Sequence, residues 1–323
     1  MKNILIFSYR EDPHVHAVIQ HLQDMGARSY EVYTDEIKTH FYLDFDSEKE
    51  VTTFLNKQTG ERVYIDETWN IWNRRIIDTK LDKGVDLELE AIVNHETKDA
   101  LVGIMMCHRG KVVNRPQYNI HARNKLDQTR VAKKIQRDVC PDIEIPPTLI
   151  TNDPSSIHDF YDAHDQVCYK LQKGAVVKRD GVNYTVLTNL VTEEHLKHCS
   201  LIEQSPHLFQ KYIDKAHEVR VVGFGEEALG VAIHSQASER SKIDFRRYDF
   251  SVPYTEVALP ESVQQFCREM LRHYGLEFGV FDFLVKHDGH YTFLELNPNG
   301  QWLWLEIMSR CPLSKTLAEA LIR

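Results

Sequence analysis

The segment FGVFDFLVKHDGHYTFLELNPNG, Phe278 to Gly300, decides the fold. It reads as two alternating strands around Asp288-Gly289, a dipeptide favoured in two-residue hairpin turns. Such a turn sets His287 opposite His290. Counting outward, Asp282 then faces Glu295 and Val280 faces Asn297. Phe281, Phe283 and Phe293 are assigned to the other face, toward a core. Carboxylates that face each other across a sheet repel, so the pairing asks for a cation between them. A nearby arginine or lysine, or plain solvent exposure, would meet that need. A hard divalent ion is the sharper reading: two carboxylates and an amide oxygen are typical magnesium ligands, with phosphates and water completing the octahedron. Asp282, Glu295 and Asn297 are therefore read as holding Mg²⁺ against a nucleotide.

The flanking chain reads as α/β at the N-terminus. Ile4 to Phe7 is a short apolar strand. Asp12-Pro13 supplies an N-cap and a proline at the first helical position, Val15, Val18, Ile19 and Leu22 recur at helical spacing, and Gly26 closes the helix. Strands follow at Tyr30 to Tyr33 and Thr68 to Trp72. A GxGxxG does not follow the first strand, so a dinucleotide fingerprint is absent. A break near Arg115-Pro116 leads to a helix from Lys125, with Leu126, Val131, Ile135 and Val139 on one side. Strands are then expected at Val167 to Leu171, Ala175 to Lys178 and Tyr184 to Thr188, and a helix opens at Thr192. One strand pattern runs from Leu208 through Val219 to Val222. Pro260 to Gly275 and Pro312 to Ile322 are amphipathic helices, the first with Val263, Phe266, Cys267, Met270 and Leu271 inward. The mixture after residue 116 reads as α+β.

The bulk composition excludes several classes. The 323 residues carry 39 basic and 48 acidic side chains, a formal net charge of −9. With no block of positive charge, a nucleic-acid partner is disfavoured. Neither a signal peptide nor a membrane span is evident. Six cysteines without a CxxC read as reduced, mostly buried thiols of a cytoplasmic protein. His195, His198 and Cys199 are tight enough to suggest zinc, yet no partner cluster stands out, and they are read as a polar helix face.

Asp282 on one strand and Glu295-Leu-Asn297-Pro298 on the next resemble the metal-binding hairpin of the ATP-grasp ligases. The longer NPNGQWLWLE is similar to the branch that macrocyclises ribosomal peptides, the microviridin-type or graspetide ω-ester and ω-amide ligases. IWNRR (Ile71 to Arg75), NKLDQTRVAKKI (Asn124 to Ile135), CYKL (Cys168 to Leu171), SPHLFQKYIDKAHEVRV (Ser205 to Val221) and DFR (Asp244 to Arg246) resemble further segments of that branch, in order, over nearly the whole chain. Two departures stand out. The segment after Lys170 has only Gly174 and Gly181 in place of a glycine-rich phosphate loop, and Lys211 stands where the hinge commonly has an acidic residue.

The resemblance implies an N-terminal pre-ATP-grasp domain over residues 1–115, a central domain over 116–206 and a C-terminal domain over 207–323, with ATP between the last two. It implies Lys125 and Lys170 on phosphates and Gln210, Lys211, Tyr212 and Ile213 at the adenine. Arg220 would stabilise the transferring phosphoryl group. Arg246, with Arg74 or Arg75, would hold the substrate carboxylate, since arginine matches that plane bidentately. At most one of Arg74 and Arg75 enters the cleft, because they alternate along a strand end. Asp244 would be the general base or would orient Arg246. Trp302 and Trp304 read as core or cleft wall, and Glu306 as a support behind the site. The implied reaction is activation of a peptide Asp or Glu carboxylate and closure onto a Ser/Thr hydroxyl or Lys amine. The implied partners are a precursor peptide with a leader, bound within residues 175–205, and an acidic core, and a second copy of the chain in a homodimer. The alternatives are an ATP-grasp amino-acid or peptide ligase of the glutamate-ligase type with another acceptor, and a non-catalytic ATP-binding scaffold.

Overall fold

The computed structural model describes residues 2–79, 86–174, 176–247, 249 and 251–323. Arg28–Tyr33, Asn3–Ser8, Trp69–Asn73 and Val112–Val113 lie side by side in that order as a parallel sheet. Ile4, Leu5, Ile6 and Phe7 are all fully buried, as expected where a parallel strand is covered on both faces. The helix Pro13–Asp24 starts as its sequence dictates: the Asp12 side chain accepts from the His14 amide at 3.0 Å, and Val15, Val18 and Leu22 turn inward. An antiparallel meander (Phe41–Asp46, Val51–Asn56, Arg62–Ile65) and a long helix, Leu87–Cys107, complete this part. Sequence reading missed both. The helix hides its period because apolar side chains encircle it: Leu89 and Ile92 are exposed while Leu101 and Met105 are buried.

The central unit is an antiparallel sheet of Asn189–Leu190, Val167–Lys170, His207–Lys211 and Thr148–Thr151, packed through Val167 and Phe209 on Ile157 of the helix Pro154–Asp162. A separate hairpin joins Val176–Arg179 to Val182–Thr185 through Asp180-Gly181, both at positive φ (51° and 78°), as a primed turn requires. The expected strand at 184–188 thus begins earlier and ends at Thr185, and Ala175 lies outside the described residues. Thr192 caps Glu193–Lys197 as expected. The run from Leu208 to Val222 is not one strand. His207–Lys211 pairs in this sheet and His217–Phe224 in the next, and residues 212–216 cross between them.

The third sheet has six strands in the order Tyr254–Val257, Glu227–Ile233, His217–Phe224, Phe278–Val285, Tyr291–Asn297 and Ile143–Glu144. The helix Glu261–Tyr274 packs on it with the five predicted side chains buried, and Gly275, at φ 65°, ends it in the left-handed conformation. The helix Lys125–Asp138 buries Val131 and Ile135 against the same sheet. Leu126, in its first turn, and Val139, its C-cap, are 59% and 39% exposed, contrary to expectation. Residues 125–144 thus pack with the third sheet and His207–Lys211 with the second. The last helices, Leu303–Ser309 and Leu313–Ile322, return to the start of the chain. Ile4, Ile6, Val18 and Trp72 share one core with Val222, Val280, Trp302, Leu317 and Leu321. Among the described residues, no helix is long and apolar enough to cross a membrane.

The deciding hairpin reaches its expected pairing by an unexpected route. Lys286 N donates to His290 O, and Gly289 N to Lys286 O, both at 2.9 Å, with Gly289 at φ 86°. The loop is therefore three residues long, His287 to Gly289, and His287 does not face His290. Leu294 is an extra residue in a β-bulge, so Phe283 faces Phe293 while Asp282 faces Glu295 and Val280 faces Asn297. On a regular strand Phe293 and Glu295 would share a face. The bulge lets Phe293 enter the core and Glu295 look into the cleft.

Candidate active site

Asp282 is paired on one side with Glu295 and on the other with Arg220. Arg220 Nη1 reaches Asp282 Oδ1 at 2.6 Å, and its Nη2 donates to the Gln301 carbonyl at 3.0 Å. Lys125 Nζ sits 2.7 Å from Glu295 Oε2. Asn297 Nδ2 donates to Glu295 Oε1 at 2.9 Å and to Asp282 Oδ2 at 3.3 Å, so the three proposed ligands converge on one point. Burial pushes the Asp282 carboxyl up to about 6; the Arg220 charge opposes this and the Glu295 charge adds to it. Burial also works against ionisation of Glu295, but Lys125 and Asn297 outweigh it and hold that carboxyl well below its ordinary value. The Asn297–Gly300 turn presses on the sheet. A Cβ on Gly300 would lie 2.6 Å from Val280 Cβ, so glycine alone permits this approach.

These groups end a cavity of about 870 Å³ between the second and third sheets. Lys170, Gln210, Lys211, Tyr212 and Ile213 line the same cavity. Lys170 Nζ donates to Gln210 Oε1 at 2.7 Å, and Gln210 Nε2 to Thr148 Oγ1 at 3.0 Å, which fixes both side chains. Sequence reasoning missed the buried pair on the cavity wall, Lys215 and Glu218, 2.8 Å apart. Burial raises the Glu218 carboxyl against the pull of Lys215, and the Ser235 hydroxyl donates to it. The signal was the i, i+3 charge pair in KAHE just before Arg220.

The arginines divide sharply. Arg75 lines the cavity; Arg74 does not. Arg74 is buried with its Nε 3.3 Å from Asp12 Oδ2, and it exchanges hydrogen bonds with Asn299. The expectation that one of the two is structural thus resolves against Arg74 as a substrate contact. Burial lowers its guanidinium to about 10, Asp12 opposing. Asp12 also binds His14 Nδ1 at 3.0 Å, and His14 Nε2 accepts from the Trp302 and Leu303 amides at 3.3 Å. That geometry requires a neutral ring with its proton on Nδ1. Burial lowers the His14 pKa from 6.5, the bond to Asp12 opposing. Below pH 6.5 the unfolded chain therefore binds a proton that the folded chain refuses, and stability is lost as pH falls through that value. Asp12, which its partners hold at about 2 despite burial, adds further loss below its ordinary 3.8. Urea unfolding of the wild type is expected to weaken between pH 7 and 5.5 by up to about 1.4 kcal/mol per pH unit from His14, with a shallower slope in His14→Asn.

Arg246 projects half-exposed into the cavity, braced by Asp244. Asp244 accepts from Arg246 Nη2 at 2.6 Å, Arg246 Nε at 2.9 Å and the Thr188 amide at 2.9 Å. Burial disfavours its charge, but these bonds win and hold it at about 2. A carboxylate so saturated is a poor base, which favours the orienting role. Asp244→Asn is expected to lower kcat about tenfold without moving the acidic limb of the pH–rate profile, because Arg246 loses its brace and no base is lost. A lost acidic limb would make Asp244 the base.

Trp302 is buried and Trp304 lines the cavity. Glu306 stands behind neither; it accepts from the Ser314 amide at 2.7 Å and hydroxyl at 2.6 Å at the start of the last helix. Among the described residues no group of three or more His, Cys, Asp or Glu side chains is arranged for a metal, and all six cysteines are free. The Asp282–Glu295–Asn297 set has two carboxylates and one amide, and hard oxygen donors of that kind fit magnesium.

A family model described as the MvdD pre-ATP grasp domain matches residues 3–119. No curated protein matches the chain. A RiPP-associated ATP-grasp ligase from Chryseobacterium gregarium, in complex with ADP and a leader and core peptide, superposes with a TM-score of 0.89 at 26% identity, over 99% of this chain and 96% of that one. The macrocyclase MdnC from Microcystis aeruginosa MRC, bound with precursor peptide MdnA, gives 0.86 at 25% identity over 99% of both chains. The ATP-grasp ligase PsnB, complexed with a phosphomimetic variant of a minimal precursor, Mg and ADP, gives 0.79 at 17% identity over 100% of this chain and 98% of that one. The chain thus has the ATP-grasp fold and is built like the RiPP ATP-grasp ligases and macrocyclases, and its residues 3–119 match an MvdD-type pre-ATP-grasp domain.

Proposed function

We propose that this protein is an ATP-dependent ligase. It activates Asp or Glu side chains of a ribosomal precursor peptide and closes them onto Ser/Thr hydroxyls or Lys amines. The observation that carries this reading is the single cavity that joins a hinge lined by Lys170 and Gln210–Ile213 to a carboxylate pair held by Lys125 and Arg220, with Arg246 and Arg75 on its walls. Asp282, Glu295 and Asn297 would hold magnesium, which when bound supplies charge neutralisation on the phosphate oxygens.

The peptide carboxylate attacks the γ-phosphorus of ATP, ADP leaves, and an acyl phosphate forms on the peptide. A hydroxyl or amine then displaces phosphate with loss of its proton, so each ring costs the peptide one water. Lys125 and Lys170 neutralise phosphate oxygens as point charges. Arg220 meets the charge that develops on the transferring group. Arg246, held by Asp244, orients the substrate carboxylate, with Arg75 rather than Arg74 as the second guanidinium. The leader would bind outside the cleft, within residues 175–205.

The test is mass spectrometry of small acidic peptides encoded beside this gene, incubated with the protein, ATP and Mg²⁺. Loss of one or more waters is expected. A product heavier by an added amino acid would identify the amino-acid ligase instead.

A further inference from the structure

A second cavity, of about 720 Å³, opens on the outer side of Arg246. It is lined by residues 185–187, Asn189, Arg240, Arg246 and Arg247. Residues 186 and 187 and Arg246 line the catalytic cavity as well, so the two spaces adjoin and Arg246 stands between them. Among the described residues, three guanidiniums and no carboxylate make up the charged lining of this outer space. That is a local inversion in a chain with 48 acidic and 39 basic residues.

The charges differ in how far they are satisfied. Asp244 already neutralises Arg246. Arg247 Nη2 donates to the Asn189 side-chain oxygen at 2.8 Å and the Thr188 carbonyl at 3.2 Å; both acceptors are neutral, so the guanidinium is positioned without being discharged. Among the described residues no ion pair joins Arg240 or Arg247 to a carboxylate, and Arg240 reaches solvent. A fixed guanidinium, a second that reaches solvent beside Asp249, and a described lining without a carboxylate form a site for a planar anion.

We propose that this outer pocket is a second carboxylate subsite, which holds one acidic side chain of the peptide while another lies at the phosphate end of the cleft. It rests on the ligase reading for the identity of its occupant. The pocket would select peptides by the spacing of their acidic residues: a chain with one carboxylate fills the cleft alone, and a chain with two spans Arg246.

The experiment measures binding of fluorescein-labelled hexaglutamate by anisotropy at low salt, to wild type and to the double variant Arg240→Gln, Arg247→Gln, which leaves Arg246 and Asp244 in place. Both substituted side chains reach solvent, and matching thermal midpoints verify the fold. The expected result is binding by the wild type, weakened about tenfold in the double variant and by added salt. Equal affinity in the two proteins, or no binding by the wild type, overturns the proposal. Binding of a fluorescent ADP with Mg²⁺ is read on the same samples. If the wild type fails to bind it, the ligase reading falls, while the hexaglutamate comparison still decides the pocket.

Discussion

Glu295→Gln is expected to cut ATP-dependent turnover at least about a thousandfold with little change in thermal stability. The substitution keeps volume and retains an oxygen for the Asn297 amide, now 2.9 Å from Glu295 Oε1. Lys125 loses its counter-charge, but its side chain is 15% exposed and can turn to water. What is removed is one of the two negative charges offered to the metal. Neutral amide oxygen cannot replace it, because a small dication gains most of its binding from anionic oxygen. The effect should fall on kcat and on the magnesium dependence, and the affinity for metal-free nucleotide should change little because Glu295 bonds Lys125 and Asn297 rather than the hinge. Phosphate release at saturating ATP over a magnesium titration is the measurement. Wild-type turnover would remove Glu295 from the metal site.

Arg220→Met should be the more damaging change for the fold. It leaves Asp282 buried without its 2.6 Å partner, and breaking a buried pair from one side typically costs about 3–5 kcal/mol. Asp282 escapes part of this by taking up a proton, since burial already holds it at about 6 with Arg220 present. The sign follows from linkage. The folded variant keeps a proton that the unfolded chain releases above its ordinary 3.8, so its deficit grows as pH rises and shrinks as pH falls toward 6. A loss of about 3 kcal/mol at pH 8 that narrows at pH 6 is expected in urea unfolding. Adding Asp282→Asn removes the stranded charge and should restore most of the stability, yet none of the activity, because the guanidinium proposed to face the phosphoryl group and a proposed metal ligand are then both gone. A deficit that ignores pH would show that Asp282 stays ionised without Arg220.

Much of the site was legible because it sits on strands whose order along the chain is simple. The Asp-Gly turn and the alternation led to Asp282 facing Glu295, although the loop is one residue longer than inferred and the Leu294 bulge makes up the difference. A bulge has no compositional mark here: Leu294 looks like any strand residue. Arg74 and Arg75 could be separated only by the fold, because the partner that claims Arg74, Asp12, is far away in sequence. Lys215 and Glu218 were hidden for a related reason, since nothing in KAHE says that both side chains are buried. The helix Lys125–Asp138 was found from its period and starts where inferred, but Leu126 and Val139 do not share its buried side, since they lie where the helix leaves the sheet. The meander and the helix Leu87–Cys107 carry their apolar residues too evenly for any period to stand out.

The ion pairs Arg220–Asp282 and Lys125–Glu295 mean that the protein carries its own counter-ions. Two negative and two positive charges balance at this end of the cavity, so a dication arriving alone would be surplus charge and would have to displace a lysine and an arginine that already satisfy the carboxylates. Anionic phosphates change the exchange: they draw Lys125 and Arg220 toward themselves and leave the carboxylates to the metal they bring. The cleft would therefore ignore free magnesium and accept metal and nucleotide as one package, with selectivity set by charge balance rather than by the shape of the metal's cage.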